Sequence, residues 1–173
     1  MSTQTYTLQP FRFELSFDDE PLAERGGGEV PADGAFAECT GLEATMEPKV
    51  IKAGGVNWGP IQRVGPVSFA TVVLKRGISR RGQLFNWFSR VCSGDYGYRC
   101  KVQITLMAPP QVGSTANEPV MTWTLSRAMP VKFKAADFNA KATEIGIEEL
   151  HLVHEGLAFR LGGPERAGQG AST

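Results

Sequence analysis

The segment LKRGISRRGQLFNW, residues 74–87, decides the fold class because a strand ends in it and a helix begins. Large apolar residues recur on one face at helical spacing: Leu84, Trp87 or Phe88, and Val91. Ser79 can cap the first turn, and Gly94 suits the position just after the last turn. The pattern therefore predicts one helix over residues 79–93. No part of this segment has the residue types that bond-breaking chemistry needs.

Alternating apolar and polar residues predict strands on both sides of this helix. The candidate strands cover residues 11–17, 36–46, 67–74, 101–106, 121–125, a piece starting at 129, and 144–155. Gly41 indicates a bend, and Pro130 restricts its piece to a strand start or an edge. A change of parity near Glu148 and Glu149 predicts a bulge, or a strand partly buried on both faces. The fold class is therefore mainly β: an antiparallel barrel or sandwich with one flanking helix.

Three polar stretches punctuate this pattern. Residues 47–64 are rich in glycine, and Gly54-Gly55 can form a tight turn, which predicts a projecting hairpin. Residues 18–35 are acidic and contain three consecutive glycines, which is typical of a loop insertion. Residues 162–173 predict a flexible tail. With 173 residues, the chain is expected to form a single domain over 1–173.

The bulk composition argues against several classes of protein. Lys+Arg and Asp+Glu both number 18, so the chain lacks the basic excess of a dedicated nucleic-acid binder. A net charge near zero favours self-association. No apolar run approaches the roughly 18 residues of a membrane span, and no signal peptide is recognisable. Three widely spaced cysteines, of which Cys39 and Cys92 lie in apolar contexts, predict free thiols in a protein made in a reducing cytosol.

The sequence shows no pattern of a catalytic, metal or cofactor site. His151 and His154 fall on opposite faces of a predicted strand, so they do not share a metal ion. Neither histidine has an obvious partner serine, and no phosphate-binding glycine motif is present. We therefore expect a protein that is not an enzyme and that uses no metal and no cofactor.

Two features can serve assembly or be ordinary surface. The cations Lys75, Arg76, Arg80 and Arg81 form either a solvated strand–helix corner, a salt-bridge surface for a neighbouring chain, or a weak nucleic-acid patch. Trp58 lies in the polar, glycine-rich hairpin, where it either folds back into the core or stays exposed as an interface anchor. The two interpretations of Trp58 are equally supported by the sequence.

The ordered combination of these segments resembles the tube proteins of contractile phage tails and contractile injection systems, including the haemolysin-coregulated protein of type VI secretion. The resemblance covers about residues 7–160. It is carried by FRFELSF, FAECTGLEATMEP, KAGGVNWGP, VVLKRGI, LFNWF, VQITLM, TWTLSRAMPVKF and EIGIEELHLVHEGL. It implies an antiparallel β-barrel subunit in hexameric rings that stack head to tail into the inner tube of a sheath. The longer 18–35 segment and the tail leave open a baseplate-proximal initiator or end-adaptor ring.

The resemblance also implies partners and surfaces. The partners are the chain itself, a sheath protein, baseplate and spike-hub proteins, and cargo or DNA in the lumen, without membrane insertion of the monomer. Subunit or ring contacts are expected at Glu47, Lys49, Ile51, Asn57, Trp58, Arg76, Arg80 and Arg81. The channel lining is expected at Lys101, Gln103, Thr105, Thr122, Thr124 and Ser126. Assembly would occur in a virion tail or an injection particle. An alternative of another class is a monomeric β-barrel that binds a small ligand.

Overall fold

The computed structural model describes residues 12–20, 22, 31, 36–52, 54–55, 58–109, 118–138 and 145–164. This part of the chain contains one helix and eleven strands. In chain order they are β1 (Phe13–Asp19), β2 (Glu38–Thr40), β3 (Ala44–Met46), β4 (Lys49–Ile51), β5 (Ile61–Arg63), β6 (Val67–Phe69), β7 (Val72–Gly77), α1 (Gln83–Cys92), β8 (Cys100–Met107), β9 (Pro119–Lys134), β10 (Ile147–Val153) and β11 (Gly156–Leu161). The prediction of a mainly β, antiparallel fold with one helix is confirmed.

Two antiparallel sheets share the long strand β9. The first sheet has the order β1–β8–β9–β11 and uses the first half of β9. The second sheet has the order β9–β10–β7–β2 and uses the second half. Arg127, with φ of 51°, lies where β9 passes from one sheet to the other. The sequence predicted two separate strands here. A left-handed residue that is not a glycine is uncommon, so nothing in the sequence indicated that Arg127 joins the two halves of β9.

The core lies between the sheets and under α1. Buried apolar side chains come from every large element: Leu15, Phe17, Val72, Leu74, Val102, Ile104, Leu125, Leu150 and Leu152. The helix contributes Leu84, Trp87 and Val91, which confirms the predicted stripe. The Trp87 ring meets the Phe17 ring edge-on, with centroids 6.0 Å apart. The amphipathic helix therefore packs against Phe17 of β1, and Phe85 and Phe88 contact Phe133 of β9.

The helix begins later than predicted. It starts at Gln83 instead of residue 79, and its cap is Gly82, with φ of 56° and no side-chain cap. The Ser79 hydroxyl accepts a hydrogen bond from the backbone N–H of Arg81 at 3.2 Å, so it stabilises a local turn instead of the helix. Gly94 has φ of 107°, as expected of a residue that follows a helix end.

Residues 38–77 form one long hairpin whose outer part leaves the second sheet. Thr40 lies opposite Val73 in the sheet and Ala44 lies opposite Phe69 beyond it, so the register is continuous. The predicted strand 67–74 is interrupted at Ala70 and Thr71, opposite the bend that was predicted at Gly41. We call strands β3 to β6, residues 44–69, the ribbon.

The last strands also differ from the sequence prediction. The predicted last strand, 144–155, is shorter and is not the last, because β10 covers only Ile147–Val153 and β11 follows from Gly156 to Leu161. The register shift lies between His151 and Leu152 instead of at Glu148–Glu149. Leu152 is opposite Pro130, which lacks an N–H to donate, and this half of β9 is the edge of the second sheet, as proline requires. Most of the 18–35 segment and residues 165–173 lie outside the described residues.

Candidate assembly surfaces

All six residues predicted to line a channel lie on one face of the first sheet. The three on β8 alternate with buried apolar residues. The register gives the neighbours of these residues across the sheet. Asp18 lies opposite Lys101, Gln103 lies opposite Thr124, and Thr105 lies opposite Thr122. Ser126 lies opposite Gly156 at the edge of the sheet. The strand period of two therefore builds a polar face, with the core on the other side of the sheet.

Half of this set is occupied by contacts within the chain. The Gln103 amide donates to an Asp18 carboxylate oxygen at 2.8 Å, and the Thr105 and Thr122 hydroxyls are 3.1 Å apart. The Thr122 hydroxyl also donates to the Gly162 carbonyl at 2.9 Å. These three residues are almost fully buried, so they stabilise the sheet instead of presenting a polar surface. The other three are partly exposed and line, with Arg160, an open concavity of about 660 Å³.

The ribbon confirms the predicted projecting hairpin. Glu47, Lys49, Ile51 and Trp58 are all exposed, and Trp58 is 100% exposed. The interpretation in which the hairpin folds back and buries Trp58 is therefore wrong for the single chain. Asn57, predicted beside it, lies outside the described residues. Lys49 is directly opposite Arg63, and in the described part of the chain neither cation has an ion-pair partner. Like charges opposite each other are unfavourable unless a partner supplies acid.

Arg76 does not belong to the exposed basic cluster. Its Nε lies 2.6 Å from Oε1 of Glu148, and both side chains are less than a tenth exposed. Its guanidinium also lies 5.5 Å from the centre of the Phe36 ring. This placement corrects the assignment of Arg76 to a subunit contact, because its charge is paired inside the monomer. Sequence reasoning missed Glu148 as the partner, since only the β7–β10 register places the two residues opposite each other.

The rest of the basic cluster is also divided. Lys75 donates to both carboxylate oxygens of Glu38, at 3.0 and 3.1 Å. This hydrogen bond, with the nearby Glu38 charge, raises the pKa of Lys75. Arg80 and Arg81 are exposed just before α1, as predicted for a contact surface. Alternation along β7 and the turn after it thus separate four neighbouring cations into three environments.

The described residues contain no group of three or more potential metal ligands. His151 Nε2 lies 3.7 Å from a Glu149 carboxylate oxygen, and His154 Nδ1 lies 2.9 Å from the Gly156 carbonyl. Burial lowers the pKa of His154, and the carbonyl contact partly opposes this shift. The two histidines therefore occupy separate structural positions.

The three cysteines are free and differ in burial. Burial raises the pKa of Cys39 to about 11 and that of Cys100 to about 12. Cys92, expected in an apolar context, is exposed at the end of α1. Because a thiolate is the reactive form, we expect a thiol reagent at neutral pH to modify Cys92 first in the folded monomer. Mass spectrometry should find one fast label per chain, and Cys92→Ser should remove it. Equally fast labelling of Cys39 would contradict this prediction.

No helix within the described residues is long and apolar enough to span a bilayer. Among curated proteins, none matches this sequence. Several solved structures share its fold. A chain of the anti-feeding prophage baseplate, solved with six-fold symmetry, has 28% identity and a TM-score of 0.68, covering 92% of this chain and 97% of its own. A chain of the PVC extracellular contractile injection system, from its extended sheath–tube complex, has 20% identity and a TM-score of 0.71, covering 93% and 99%.

The cap that terminates the anti-feeding prophage tube contains a further similar chain. It has 17% identity and a TM-score of 0.72, and the match covers 93% of this chain and 95% of that one. The family model for the T4-like virus tail tube protein gp19 matches residues 9–158. This range contains β1 to β10, the helix and the first three residues of β11. This chain therefore belongs to the T4-like virus tail tube protein gp19 family.

Proposed function

We propose that this tail tube protein closes into hexameric rings through the edges of its first sheet and lines a polar channel with that sheet's outer face. The observation that carries the proposal is a polar face bounded by two unpaired edges. Within the described residues, β1 pairs only with β8, and β11 pairs only with β9. An open strand edge invites pairing with another chain. Pairing β1 of one copy with β11 of the next would satisfy both edges.

The dimensions of such a ring follow from strand spacing. Six four-stranded sheets would give roughly 24 strands, and at about 4.8 Å per strand they would close a barrel at least about 37 Å across. Tilted strands would widen it. The six-fold symmetry of the baseplate that contains a similar chain agrees with this number of copies. Rings of this kind would stack into the inner tube, with the sheath outside and cargo or DNA inside.

A second candidate is a single ring next to the baseplate. The similar chain in the anti-feeding prophage baseplate is 28% identical, whereas the one in the PVC sheath–tube complex is 20% identical. In this case the chain would contact baseplate and spike-hub proteins on one side and the repeating tube on the other. In both cases the chain would be made in the bacterial cytoplasm and assembled into a phage tail or an injection particle.

The alternative of a monomeric ligand-binding module has less support. The cavity beside α1 is about 210 Å³ and is lined by Gln83, Asn86, Trp87, Arg90 and Tyr98. Ligand pockets are usually about 300–1,000 Å³, so this cavity is smaller than usual, and the larger concavity on the first sheet is open to solvent instead of enclosed. The Arg90 guanidinium lies 3.8 Å from the centre of the Tyr98 ring and bonds Asp95, so this wall is already occupied by internal contacts.

Electron microscopy of the purified protein over a concentration series, with light scattering on the same samples, tests the proposal. Stacked tubes of constant diameter support the repeating subunit. Rings that never stack support the baseplate-proximal ring. A monomer at every concentration contradicts self-assembly through the sheet edges and favours the binding module.

Replacing Trp58 with alanine is expected to weaken assembly without destabilising the monomer. The side chain makes no core contact because it is fully exposed, so the urea midpoint of the monomer should not change. Loss of a tryptophan anchor at an interface typically costs at least about 2 kcal/mol, which corresponds to roughly 30-fold in the concentration needed for assembly. Trp58→Phe is the matched control and should retain most of the assembly. Unchanged tubes with Trp58→Ala would contradict a role for this residue in contacts between copies.

A further inference from the structure

The ribbon exposes more apolar surface than a single chain normally leaves in water. Seven of its apolar side chains are at least 42% exposed: Met46, Val50, Ile51, Trp58, Ile61, Val64 and Val67. Together they present on the order of 600 Å², taking an exposed aromatic ring as ~200 Å². The largest apolar patch of a typical monomer is about 300–600 Å² and is often functional. The apolar area of the ribbon is divided between its two faces, because Val50 and Ile51 are consecutive on β4, and in sum it is close to but below the about 800 Å² that one partner buries in a standard interface.

A second exposed apolar surface lies at the far end of β7. We call Ile78, Phe138, Ile145 and Ile147 the terminal patch. Ile147 lies opposite Gly77, and the backbone N–H of Ile78 donates to the Gly146 carbonyl at 3.0 Å. Gly146 leaves room for the Ile78 side chain, because a Cβ at position 146 would lie only 2.7 Å from the Cδ1 of Ile78. Phe138 is 90% exposed and Ile145 is 81% exposed.

The two surfaces lie at opposite ends of the same sheet. The ribbon leaves the second sheet beside Val72, where β7 begins, and the terminal patch adjoins Gly77, where β7 ends. Six residues of strand separate the ends by about 20 Å. Because the ribbon continues the register of β2 and β7 away from the sheet, it points away from the terminal patch of its own chain. A contact between these surfaces therefore requires two chains.

We propose that the ribbon of one copy packs on the terminal patch of the next copy. The inference rests on the proposed assembly of tube rings and names the surface that receives the ribbon. Both surfaces are exposed and apolar, and exposed charges border both. The ribbon offers Lys52 to the exposed Asp137, which precedes Phe138 of the terminal patch, and its base offers Glu47 to Arg80 and Arg81. Opposite charges at an interface margin fix orientation and speed association.

This contact uses two different surfaces, so it does not close on a pair of chains. Each copy that donates its ribbon leaves its own terminal patch free for another. Such a head-to-tail contact repeats until it closes a ring or extends a stack. The contact thus gives the stack of copies a direction along the tube axis. Pairing of the sheet edges alone does not define that direction.

Disulfide trapping between two singly substituted proteins tests the contact. In a Cys92→Ser background, one protein carries Pro60→Cys, at an exposed position two residues from Trp58, and the other carries Ile145→Cys, and the mixture is oxidised under assembly conditions. We expect a disulfide-linked dimer that contains one chain of each kind. Glu118→Cys, exposed at the distant end of β9, replaces Ile145→Cys in the control and should give no such dimer. A link to position 118 with none to position 145 would overturn the proposal.

An assembly measurement separates this inference from the proposed function. Ile145→Asp should raise the concentration needed for assembly at least tenfold, whereas Ile145→Leu should not, and both should keep the wild-type urea midpoint because the side chain is exposed. If the wild type forms rings or tubes, Ile145→Asp assembles equally well and no trapping occurs, then the ribbon docks elsewhere or binds another protein and this inference fails alone. If the wild type never assembles, the proposed function fails as well.

Discussion

Replacing Arg76 with methionine is expected to lower the free energy of unfolding by about 3–5 kcal/mol, since it leaves the Glu148 carboxylate buried without its partner. The 2.6 Å bond between these side chains joins β7 to β10 in the interior of the second sheet. Removing Glu148 instead, by Glu148→Leu, strands the guanidinium and should cost a similar amount. Urea unfolding of the dilute monomer, followed by tryptophan fluorescence, measures both values.

Two further variants show whether the pair itself carries the effect. The double variant Arg76→Met, Glu148→Leu removes both charges, and apolar replacements of a buried ion pair are often neutral or stabilising. It should therefore be much more stable than either single variant. Lys75→Met removes the neighbouring cation, whose bond to Glu38 is solvent-exposed, and should have a far smaller effect. If Arg76→Met were as mild as Lys75→Met, the buried pair would not be a significant source of stability.

Gly41→Ala is expected to cost about 2–4 kcal/mol, because position 41 requires both a positive φ and close backbone contact. The φ of Gly41 is +87°, and a Cβ there would lie 2.2 Å from the carbonyl oxygen of Thr71. A left-handed backbone alone costs an L-residue roughly 1–2 kcal/mol. The clash adds a further cost of about 1–3 kcal/mol, since backbone rather than a flexible side chain must move.

Comparison with Gly55→Ala isolates the cost of the backbone clash at position 41. Gly55 has a nearly identical φ of +89°, but a Cβ there would have no heavy atom within 4 Å. Both variants lose the same conformational freedom in the unfolded chain, so that contribution cancels. We expect Gly55→Ala to cost only the roughly 1–2 kcal/mol of the left-handed backbone in the same urea experiment. Equal losses at the two positions would show that backbone conformation, and not the approach of Thr71, decides the need for glycine at position 41.

Much of the fold could be predicted from local patterns. The spacing of Leu84, Trp87 and Val91 identified the buried face of the helix, since residues three and four apart lie on one side. Alternation on β8 identified the polar face of the first sheet. The start of the helix could not be predicted in the same way, because Ser79 suits a helix cap and an isolated turn equally well, and only the left-handed Gly82 separates the two.

The candidate site was predicted less completely, because burial depends on strands that are distant in the sequence. The sequence predicted exposed polar side chains at Gln103, Thr105 and Thr122. In the structure these side chains are buried and form hydrogen bonds to neighbouring strands and to Gly162. Phe138 and Ile145 were not identified as a contact surface. Their exposure has no local signal, since apolar residues at a strand end are as often buried.

The sequence by itself determined the antiparallel β class, the single helix with its buried stripe, the projecting hairpin and the resemblance to tail tube proteins. These properties follow from the periodicity of side chains within one element, which the order of residues encodes directly. Only the tertiary structure decided that Arg76 is buried against Glu148 while Arg80 and Arg81 stay exposed, and that the ribbon and the terminal patch lie at opposite ends of one sheet. These outcomes depend on the register between strands far apart in the chain, and pairing of that kind is set by the packing of the whole core.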